Sequence, residues 1–547
     1  MEPSWTSWGT SQPHLPEAAQ ALLRSRLGEL TPTTPAPIDT AQLPQSALRR
    51  SVLTRLVDAV GADAVRTDDE TRARHAGGQA YADLIRRRAG DAGQAPDAVV
   101  LPADAAQVTQ VLRICSDDYV AVVPWGGGTS VVGGLDAERG RCAGLVALDL
   151  SRMDQLVAVD ETSMLATFEP GIRTPDAERL LAEHGLTLGH VPQSFERASL
   201  GGYVVTRSAG QASTGVGRFD DIVAGVRMAT PAGELVLSPV GGSAAGPDLR
   251  RLVMGSEGTL GVVTEVTLRV RRIPAVRRFD GWMAPSWEAG LAALRRLAQD
   301  GPHPDIVRLS DPNETIVSMT MSTAGTMTKR LLASYLRLRG ARNGCLVILG
   351  YDGTADDVRH RRTYVAEILR EHRIVPIGAS AGKAWARNRF AAPMLRDTLL
   401  DAGALAETLE TAATWTNLPG VYAAVREALR VKLGDGAVVG CHVSHIYPTG
   451  ASLYFTVIAS ADPQRRIEQW VEAKNAVNDA IVAAGGTITH HHAVGTAHRD
   501  HVERDLGGPV GVMMLRAVKD AVDPRGVLNP GKLIPQSPAS APSPSSR

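Results

Sequence analysis

Apolar and polar positions divide the chain into stretches with different hydrophobic patterns. Residues 14–70 place apolar side chains at helical spacing in LPEAAQALLRSRLGEL and SALRRSVLTRLVDAVG, which a Pro/Thr-rich linker joins. From Pro96 to about residue 274, short apolar runs typical of buried strands, such as VAVVPW and LVALDL, alternate with amphipathic helices. From 276 to 500 the helical stretches are longer and alternate with strands such as ASLYFTVIAS. The pattern predicts an α+β protein with a helical N-terminal region.

Length, charge and cysteine content narrow the class of protein. A chain of 547 residues is too long for one simple core, so two domains or one large composite domain are expected. Lys+Arg and Asp+Glu each total 58 and no basic block is present, so nothing indicates nucleic-acid binding. Four scattered cysteines without a CxxC pair indicate a reducing compartment and packing roles. No apolar run approaches a transmembrane length and the start lacks secretory-signal features, so a cytoplasmic protein is expected.

The stretch GGTITHHHAVG puts three histidines, His490, His491 and His492, side by side after a helix that ends at Gly485-Gly486. TIT predicts extended chain, in which alternate side chains share a face. His490 and His492 would then face one way and His491 the other, so the run alone forms no three-ligand metal site. A zinc site is disfavoured because adjacent strand residues diverge and no carboxylate accompanies them. An acid/base cluster and a chance surface run remain open.

Three glycine-rich stretches are candidates for binding an anionic cofactor. PWGGGTS (124–130) follows a strand, and successive glycines let backbone N–H groups converge on an anion. It is neither a dinucleotide fingerprint, since Val131 stands where the third glycine is needed, nor a GxxxxGK[ST] loop. VPQSFERASLGGYVVTRSAGQASTGVGRFDDIV (191–223) and GSEGTLGVVTE (255–265) follow in order. Each alone is equally compatible with an ordinary turn.

Taken together, these stretches resemble the FAD-binding domain of the vanillyl-alcohol-oxidase-like (PCMH-type) flavoproteins. In that superfamily the first two stretches wrap the FAD pyrophosphate and the third lies along the adenine and ribose. The first loop has no histidine, so the resemblance implies noncovalent FAD. The positions it assigns to FAD are Pro124, Trp125, Gly126, Gly127, Gly128, Thr129, Ser130, Gln193, Ser194, Ser199, Gly201, Gly202, Thr206, Arg207, Ser208, Ala209, Glu257, Gly258, Thr259, Gly261, Val262 and Val263.

The same resemblance implies a domain plan. It consists of an FAD-binding domain of two α+β subdomains, an α+β cap inserted into it, and a closing LNPGKL segment that returns to the FAD-binding domain. The expected ranges are the N-terminal helical region 1–94, the FAD-binding domain 95–274, the cap or substrate domain 275–505, the return segment 506–535 and a tail, disordered by composition, at 536–547.

The substrate end of the chain resembles one family within this superfamily. The hydroxy-acid oxidases carry HxGDGNxH and GEHGIG motifs, and this sequence has neither. It has instead LRD (395–397), CHVSHIYPTGASLYF (441–455) and HHHAVG (490–495), which together with the WTSWGTSQ start are similar to alkyl-dihydroxyacetonephosphate synthases. Three positions depart from that family's pattern: Gln193, Arg197 and Ala493. They put in doubt identical pyrophosphate contacts and identical substrate geometry.

That resemblance implies exchange of the acyl group of acyl-dihydroxyacetone phosphate for a long-chain alcohol, with no net redox change. Arg396 would bind the phosphate, since a guanidinium fork suits bidentate oxygen binding. Tyr454 would transfer a proton, and His490, His491 and His492 would contact the leaving group or move protons. Each has an ordinary structural alternative: a surface arginine paired with Asp397 or Asp401, a buried strand aromatic, and structural histidines. His442 and His445 are secondary candidates.

Other functions remain open at this point. An FAD-linked oxidase or dehydrogenase of a 2-hydroxy acid or small alcohol needs the same fold but an electron acceptor. A non-catalytic flavin-binding protein needs no tyrosine and histidine cluster. For the synthase, the family resemblance implies a homodimer, lipid substrates (acyl-dihydroxyacetone phosphate and a fatty alcohol) and possible peripheral contact of a cytoplasmic protein with a membrane surface.

Overall fold

The computed structural model describes residues 4–9, 15–321 and 325–535. The tail 536–547, predicted to be disordered, lies outside these residues, as does part of the WTSWGTSQ start. Both helices expected near the N-terminus are present, as Glu17–Leu27 and Arg50–Val60. In the second, Val52, Leu56 and Val60 recur at intervals of four residues and are buried together, as an amphipathic helix requires.

A four-stranded sheet carries the first glycine stretch. Helix Ala105–Asp118 crosses between two of its parallel strands and starts at Asp104, whose side chain accepts the N–H of Gln107. The glycine loop begins at the carboxyl end of Val120–Trp125. Val122 also forms a bridge with Leu528, so the C-terminal segment contacts this sheet. In spatial order the strands are Val65–Arg66, Ala98–Val100, Gly144–Asp149 and Val120–Trp125.

A five-stranded antiparallel sheet follows and holds the third glycine stretch. Helix Leu200–Thr206, from the second glycine stretch, packs on its central strand. The strands in spatial order are Leu156–Asp160, Leu165–Phe168, Val262–Arg269, Val223–Thr230 and Gly233–Leu237. Beside them lies the strand pair Leu186–Thr187 and Arg271–Arg272. The remaining helices of the N-terminal half are Asp69–Arg74, Tyr81–Arg88, Thr174–Ala182, Ser213–Val216, Phe219–Ile222 and Arg250–Val253.

The C-terminal half is built on a large antiparallel sheet, called here the cap sheet. Its strands in spatial order are Val375–Gly378, Val276–Ala284, Cys345–Gly353, Ile306–Ser310, Val438–Val443, Gly450–Ser460 and Ala404–Thr414, with Ile446–Tyr447 paired to Gly450–Ser460. The helices are Trp287–Asp300, Pro312–Met321, Thr326–Leu338, Ala355–Glu371, Ala379–Asn388, Ala392–Asp401, Leu418–Leu433, Arg466–Ala483 and Gly508–Val522.

Alternation along the cap strands explains which face is core and which is free for chemistry. Leu453, Phe455 and Val457 point into the hydrophobic core shared with Val421 and Val477 of the long helices. The residues between them therefore face the opposite side, toward the glycine stretches. The α+β class predicted from the sequence is confirmed, and all four cysteines are buried and unpaired. Among the described residues, no helix has the length and apolar character that spanning a bilayer requires.

Candidate active site

A row of polar side chains crosses the open face of the cap sheet. Ser310 pairs with His442, His442 with Tyr454, and Tyr454 with Glu410, on four neighbouring strands. Directly paired residues share a face, so these four side chains stand side by side. The His442 ring stacks on Tyr454 with ring centroids 5.0 Å apart. The sheet register therefore makes Tyr454 part of a polar cluster and not an isolated core aromatic.

The three histidines form a tight turn over this row. Glu410 Oε2 accepts the backbone N–H of His490 (2.6 Å), and Oε1 accepts those of His491 (3.2 Å) and His492 (2.9 Å). The Thr489 hydroxyl also donates to Oε1, at 2.6 Å. The prediction of extended chain was wrong here, because a buried carboxylate gathers successive N–H groups that a strand would point in opposite directions.

The histidine side chains consequently converge. Nδ1 of His490 lies 2.9 Å from Nδ1 of His491, and the His491 and His492 ring centroids are 4.6 Å apart. The expectation that His491 faces away from its neighbours was therefore wrong. Tyr447 Oη lies 2.6 Å from Nε2 of His490. If this hydroxyl donates, His490 carries its proton on Nδ1 and donates to His491, which leaves the Nε2–H of His491 free for a ligand.

This geometry also removes both arguments raised against a metal site. Ligand atoms of Glu410, His490 and His491 all lie within 4.8 Å of one another, so the side chains converge and a carboxylate does accompany them. The two oxygens of Glu410 already accept four hydrogen bonds, however. A metal ion would have to displace some of these donors to bind there.

Burial sets the protonation states of the cluster. It lowers the pKa of His491 and His445 to about 3 and that of His490 well below its usual value, so these imidazoles are neutral at pH 7. It raises the pKa of Tyr454 to about 12, which keeps the phenol protonated. Burial alone would raise the pKa of Glu410, but the backbone N–H groups of the three histidines and the Thr489 hydroxyl, which donate to its oxygens, outweigh it and hold that pKa well below its usual range.

A second buried carboxylate, Glu257, holds the other half of the turn. Its oxygens accept the N–H groups of Val494 (2.9 Å) and Gly495 (2.8 Å), and Asn529 donates to its carbonyl. Glu257 belongs to the third glycine stretch, where it was predicted to contact FAD. Its carboxylate joins that stretch to the histidine turn, so the two halves of the chain meet at the site, and its contact with FAD stays a prediction.

Changing Glu257 to glutamine is expected to alter how stability depends on pH. Burial raises the pKa of Glu257 from 4.5 to about 7, so its contribution to folding is fully present below about pH 4.5 and is lost as pH rises through about 7. Glutamine does not titrate. From pH 4.5 to pH 8 the unfolding free energy of the wild type should fall relative to E257Q by about 3 kcal/mol. Denaturant melts across this range measure it, and parallel curves would contradict it.

Behind Tyr454 lies a network that sequence reasoning missed in part. His442 Nδ1 lies 2.9 Å from Oε2 of Glu314, and Nε2 lies 3.1 Å from Arg308 Nη1. Arg308 and Ser310 both donate to Oε1 of Glu314. His442 was a secondary candidate, whereas Arg308 and Glu314 were not singled out. The network fixes the ring on which Tyr454 stacks. The other secondary candidate, His445, contacts the second glycine stretch, with Nε2 2.8 Å from Gly210 O.

Arg396 is not the surface arginine of the structural alternative. Its side chain is 12% exposed, Nη1 donates to Gln79 O at 2.9 Å, and Glu407 lies 3.6 Å away. Its Nε is buried without a hydrogen-bond partner among the described residues. Asp397 instead accepts the N–H of Trp8. A buried guanidinium with a free donor suits an anionic ligand.

The three glycine stretches meet in one cradle. A Cβ at Gly126 would lie 2.2 Å from Ser199 Oγ, and one at Gly127 would lie 2.0 Å from Arg197 O. At Gly258 a Cβ would lie 2.8 Å from Pro124 Cγ. The stretches therefore pack closely on one another where the resemblance places the FAD pyrophosphate, and only glycine leaves room at these positions. Several buried polar atoms of the same stretches, Gln193 Nε2 and Ser256 Oγ among them, lack a partner within the described chain. The cradle thus fits FAD.

The other residues assigned to FAD fall into two groups. Ser199 accepts the N–H of Gly202 at the start of helix Leu200–Thr206, whose N-terminus favours an anion. Four of the other polar side chains are engaged within the fold: Thr206 with Gly202 O, Arg207 with Asp220, Ser208 with His190, and Thr259 with Ser256 O. Their assignment to the cofactor stays a prediction that rests on their backbone groups.

Replacing Gly127 with alanine is expected to abolish FAD retention, because the added Cβ would collide with Arg197 O and the backbone of Ala198. Neither is a flexible side-chain end, so the loop must move away from the cradle. The flavin-to-protein absorbance ratio of purified protein measures this. The matched control is Gly241→Ala in an exposed loop, where a Cβ meets no atom within 4 Å. Full FAD content in G127A would contradict the cradle.

Comparison with known proteins identifies the family. Residues 96–238 match the FAD binding domain family and residues 273–533 match the C-terminal domain of FAD linked oxidases. These matches leave the predicted domain boundaries as predictions. Alkyldihydroxyacetonephosphate synthase of Dictyostelium discoideum is 32% identical over 86% of this chain and 79% of its own length. That of Trypanosoma brucei brucei is 30% identical over 91% and 83%.

Solved structures agree with this result. One alkyldihydroxyacetonephosphate synthase structure superposes with a TM-score of 0.82 at 27% identity, covering 96% of this chain and 98% of the other. The fold class predicted from the sequence, a PCMH-type FAD-binding fold with a cap, is confirmed by these matches. The chain belongs to the alkyldihydroxyacetonephosphate synthase family of FAD-binding enzymes.

Proposed function

We propose that this protein is an FAD-dependent alkyldihydroxyacetonephosphate synthase. It would take acyl-dihydroxyacetone phosphate and a long-chain alcohol and release alkyl-dihydroxyacetone phosphate and a fatty acid, so that an ester C–O bond breaks at C1 and an ether C–O bond forms there. The observation that carries the proposal is the turn of three neutral histidines facing Tyr454, in a chain related over most of its length to such synthases.

Each side chain has a role that its surroundings support. Bound FAD supplies the reactive ring at which C1 of the substrate is activated. Tyr454, protonated at neutral pH, holds the proton exchanged at C1 within reach of the substrate. His491 and His492, with ring centroids 6.0 and 5.6 Å from that of Tyr454, would hydrogen-bond the departing carboxylate and the entering alcohol. Arg396 would bind the phosphate through its free Nε.

Binding of substrate would raise the pKa of His491. An anionic carboxylate leaving beside His491 opposes the burial that lowers the pKa of that imidazole, so the pKa rises and the ring can take a proton as the anion departs. His490 sits between Tyr447 and His491 and supports this change through its two ring nitrogens.

Noncovalent FAD, a homodimer and contact with a membrane surface are also proposed. FAD would be bound noncovalently, since the loop at 124–130 has no histidine, and acid precipitation should release it. A homodimer is proposed from the family resemblance and is tested by light scattering. Contact with a membrane surface is supported by Ile316, Met327 and Leu331, which are more than half exposed on helices Pro312–Met321 and Thr326–Leu338. Co-sedimentation with lipid vesicles tests it.

One observation favours a second candidate function. Glu410, His490 and His491 provide a carboxylate and two imidazoles with metal-ligand spacing, which a metal-assisted FAD-linked dehydrogenase of a 2-hydroxy acid would use. Such an enzyme would transfer two electrons from the substrate to FAD and then to an acceptor. The synthase needs no acceptor, and this difference separates the two functions.

The deciding experiment uses purified holoenzyme under anaerobic conditions. It receives acyl-dihydroxyacetone phosphate and a radiolabelled long-chain alcohol, with no electron acceptor. Labelled ether product and one fatty acid per ether formed would establish the synthase. Absence of product, together with flavin reduction by a 2-hydroxy acid that only an electron acceptor reverses, would reject the synthase and establish the dehydrogenase.

A further inference from the structure

Two buried arginines near the first glycine loop have no ion-pair partner in the described part of the chain. Arg87 is 4% exposed and Arg197 is 9% exposed, and neither lies within 4.0 Å of a carboxylate oxygen. Asp83, one helical turn before Arg87, raises the pKa of that guanidinium, and Asp397 raises that of Arg197, but neither carboxylate forms an ion pair with it. Taking a guanidinium out of water without an ion pair is unfavourable. Buried cations of this kind indicate that an anion occupies the space beside them.

Arg87 and Arg396 are joined by one stretch of backbone. Arg87 Nη2 donates to Gly78 O (2.6 Å) and Arg396 Nη1 donates to Gln79 O (2.9 Å), which are consecutive carbonyls. The N–H of Gln79 in turn donates to Ser130 O, in the first glycine loop, at 2.6 Å. The Nε atoms of Arg87 and Arg396 are both buried without a partner among the described residues. Two guanidiniums thus share one corner of the cofactor cradle.

Arg197 reaches the same corner from the opposite side. Its carbonyl packs against Gly127 of the glycine loop, and its Nη1 donates to Trp8 O at 2.8 Å. The N–H of Trp8 donates to Asp397, the neighbour of Arg396, at 2.7 Å. No other hydrogen bond of Arg197 is found within the described residues. Its remaining N–H groups are therefore available to a ligand.

The N-terminal residues 4–9, called here the strap, cover this corner. The guanidinium of Arg87 lies 6.0 Å from the ring of Trp5, and that of Arg197 lies 4.7 Å from the ring of Trp8. Each tryptophan of WTSW thus stacks on one arginine, which holds the guanidinium in place without neutralising it. The strap also joins the glycine-loop side, through Arg197, to the cap side, through Asp397.

The pKa shifts of the charged groups at this corner indicate that it would accept an anion. Burial, together with the other arginines, lowers the pKa of Arg197 to about 10, and burial raises the pKa of Asp397 to about 6. Burial also raises the pKa of Glu407. Arg396 lowers the pKa of both Arg87 and Arg197, as cations that lie close together do, and neither of those two guanidiniums forms an ion pair that would offset this repulsion.

We propose that Arg87, Arg197 and Arg396 form a three-arginine site for a phosphate group, closed by the strap. The ligand is a dianionic phosphate monoester of a three-carbon substrate or the diphosphate of FAD, which share this chemistry. Three planar forks match phosphate oxygens better than one. For the monoester, the site deepens the proposed function and rests on it. Arg197 is one of the positions at which this chain departs from the family pattern, so its part in the site is a feature of this chain.

The test measures phosphate recognition apart from turnover. Holoenzyme is titrated calorimetrically with dihydroxyacetone phosphate and, separately, with dihydroxyacetone, which lacks the phosphate. The variants are Arg197→Met, which keeps much of the side-chain length, and Arg197→Lys, which keeps the charge and loses the fork. Arg525→Met is the matched control, because Arg525 stacks on Tyr119 at 4.6 Å on the exposed surface. FAD content and melting temperature are recorded for each protein.

If the site binds the phosphate of the substrate, R197M should bind dihydroxyacetone phosphate about 10- to 100-fold more weakly, because one charge-assisted hydrogen bond is lost. R197K would lose about 3- to 10-fold, and FAD content and R525M would not change. If the site binds the diphosphate of FAD, R197M and R197K should instead lose flavin. Where R197M does not fold, R197K carries the same comparison.

Unchanged phosphate affinity and unchanged FAD content in the Arg197 variants would overturn the site. Failure of the proposed function is a different result: a wild type that binds dihydroxyacetone phosphate through Arg197 but forms no ether keeps the three-arginine site and loses the synthase.

Discussion

Replacing Tyr454 with phenylalanine is expected to lower the rate of ether formation by about 100- to 10,000-fold, the usual contribution of a positioned acid/base group. The substitution removes only the hydroxyl. The ring would still stack on His442 and lie beside His491, so packing and FAD content should not change. Product formation from a radiolabelled alcohol measures the rate, and a melting curve checks that the fold is intact.

The matched control is Tyr364→Phe. Tyr364 lies on helix Ala355–Glu371, and its hydroxyl donates to Asp300 O, away from the histidine turn. It should lose the small stability of one exposed hydrogen bond and no activity. A Y454F rate within threefold of the wild type would remove Tyr454 from the mechanism and point to the histidines as proton-transfer groups.

The elements of the fold could be predicted because their signals are local. The strand Val120–Trp125, the helix Ala105–Asp118 and the long helices after residue 276 all follow from apolar spacing and from turn residues. The order of strands in the cap sheet could not be predicted this way. It depends on pairs such as Ser310 with His442 and Tyr454 with Glu410, which are distant along the chain.

The histidine turn shows why the local argument failed at the site. TITHHH is compatible with a strand until a buried carboxylate is placed beneath it, and that carboxylate lies 80 residues earlier. A signal did exist: Glu407 and Glu410 interrupt the strand ALAETLETAAT, whose other residues are mostly small or apolar. A buried glutamate in a strand requires donors, and the adjacent N–H groups of the histidine run supply them.

Arg197 departs from the family pattern, and its role could be inferred only from the structure. Arg197 was noticed in the sequence only as unusual, because a single arginine among FERASLGG has many explanations. Its contacts with Trp8 and with the glycine loop depend on the strap, which folds back across nearly 200 residues of chain. The tryptophans of WTSW and the arginines they cover become one feature only in three dimensions.

Changing Glu410 to glutamine is expected to lower both activity and stability. Glutamine offers one oxygen, which can replace Oε1 and its three donors, but its NH2 group then faces the N–H of His490. At least one buried donor is left unsatisfied, which costs about 1–3 kcal/mol of folding free energy. The turn must shift, and a displacement of catalytic groups by about 1 Å lowers the rate by about 100-fold. Denaturant melts and labelled-alcohol turnover measure the two effects.

A control separates loss of the turn from loss of any buried carboxylate. Glu178 accepts hydrogen bonds from the Thr187 hydroxyl (2.6 Å) and from the N–H of Gly189 (3.0 Å), in a part of the fold remote in sequence from the histidine turn. Glu178→Gln should lower stability by a similar amount and leave the rate per folded molecule unchanged. If E410Q and E178Q lose stability equally and both keep full activity, Glu410 supports the fold alone and does not position the histidines, because an aligned turn would then survive without its carboxylate.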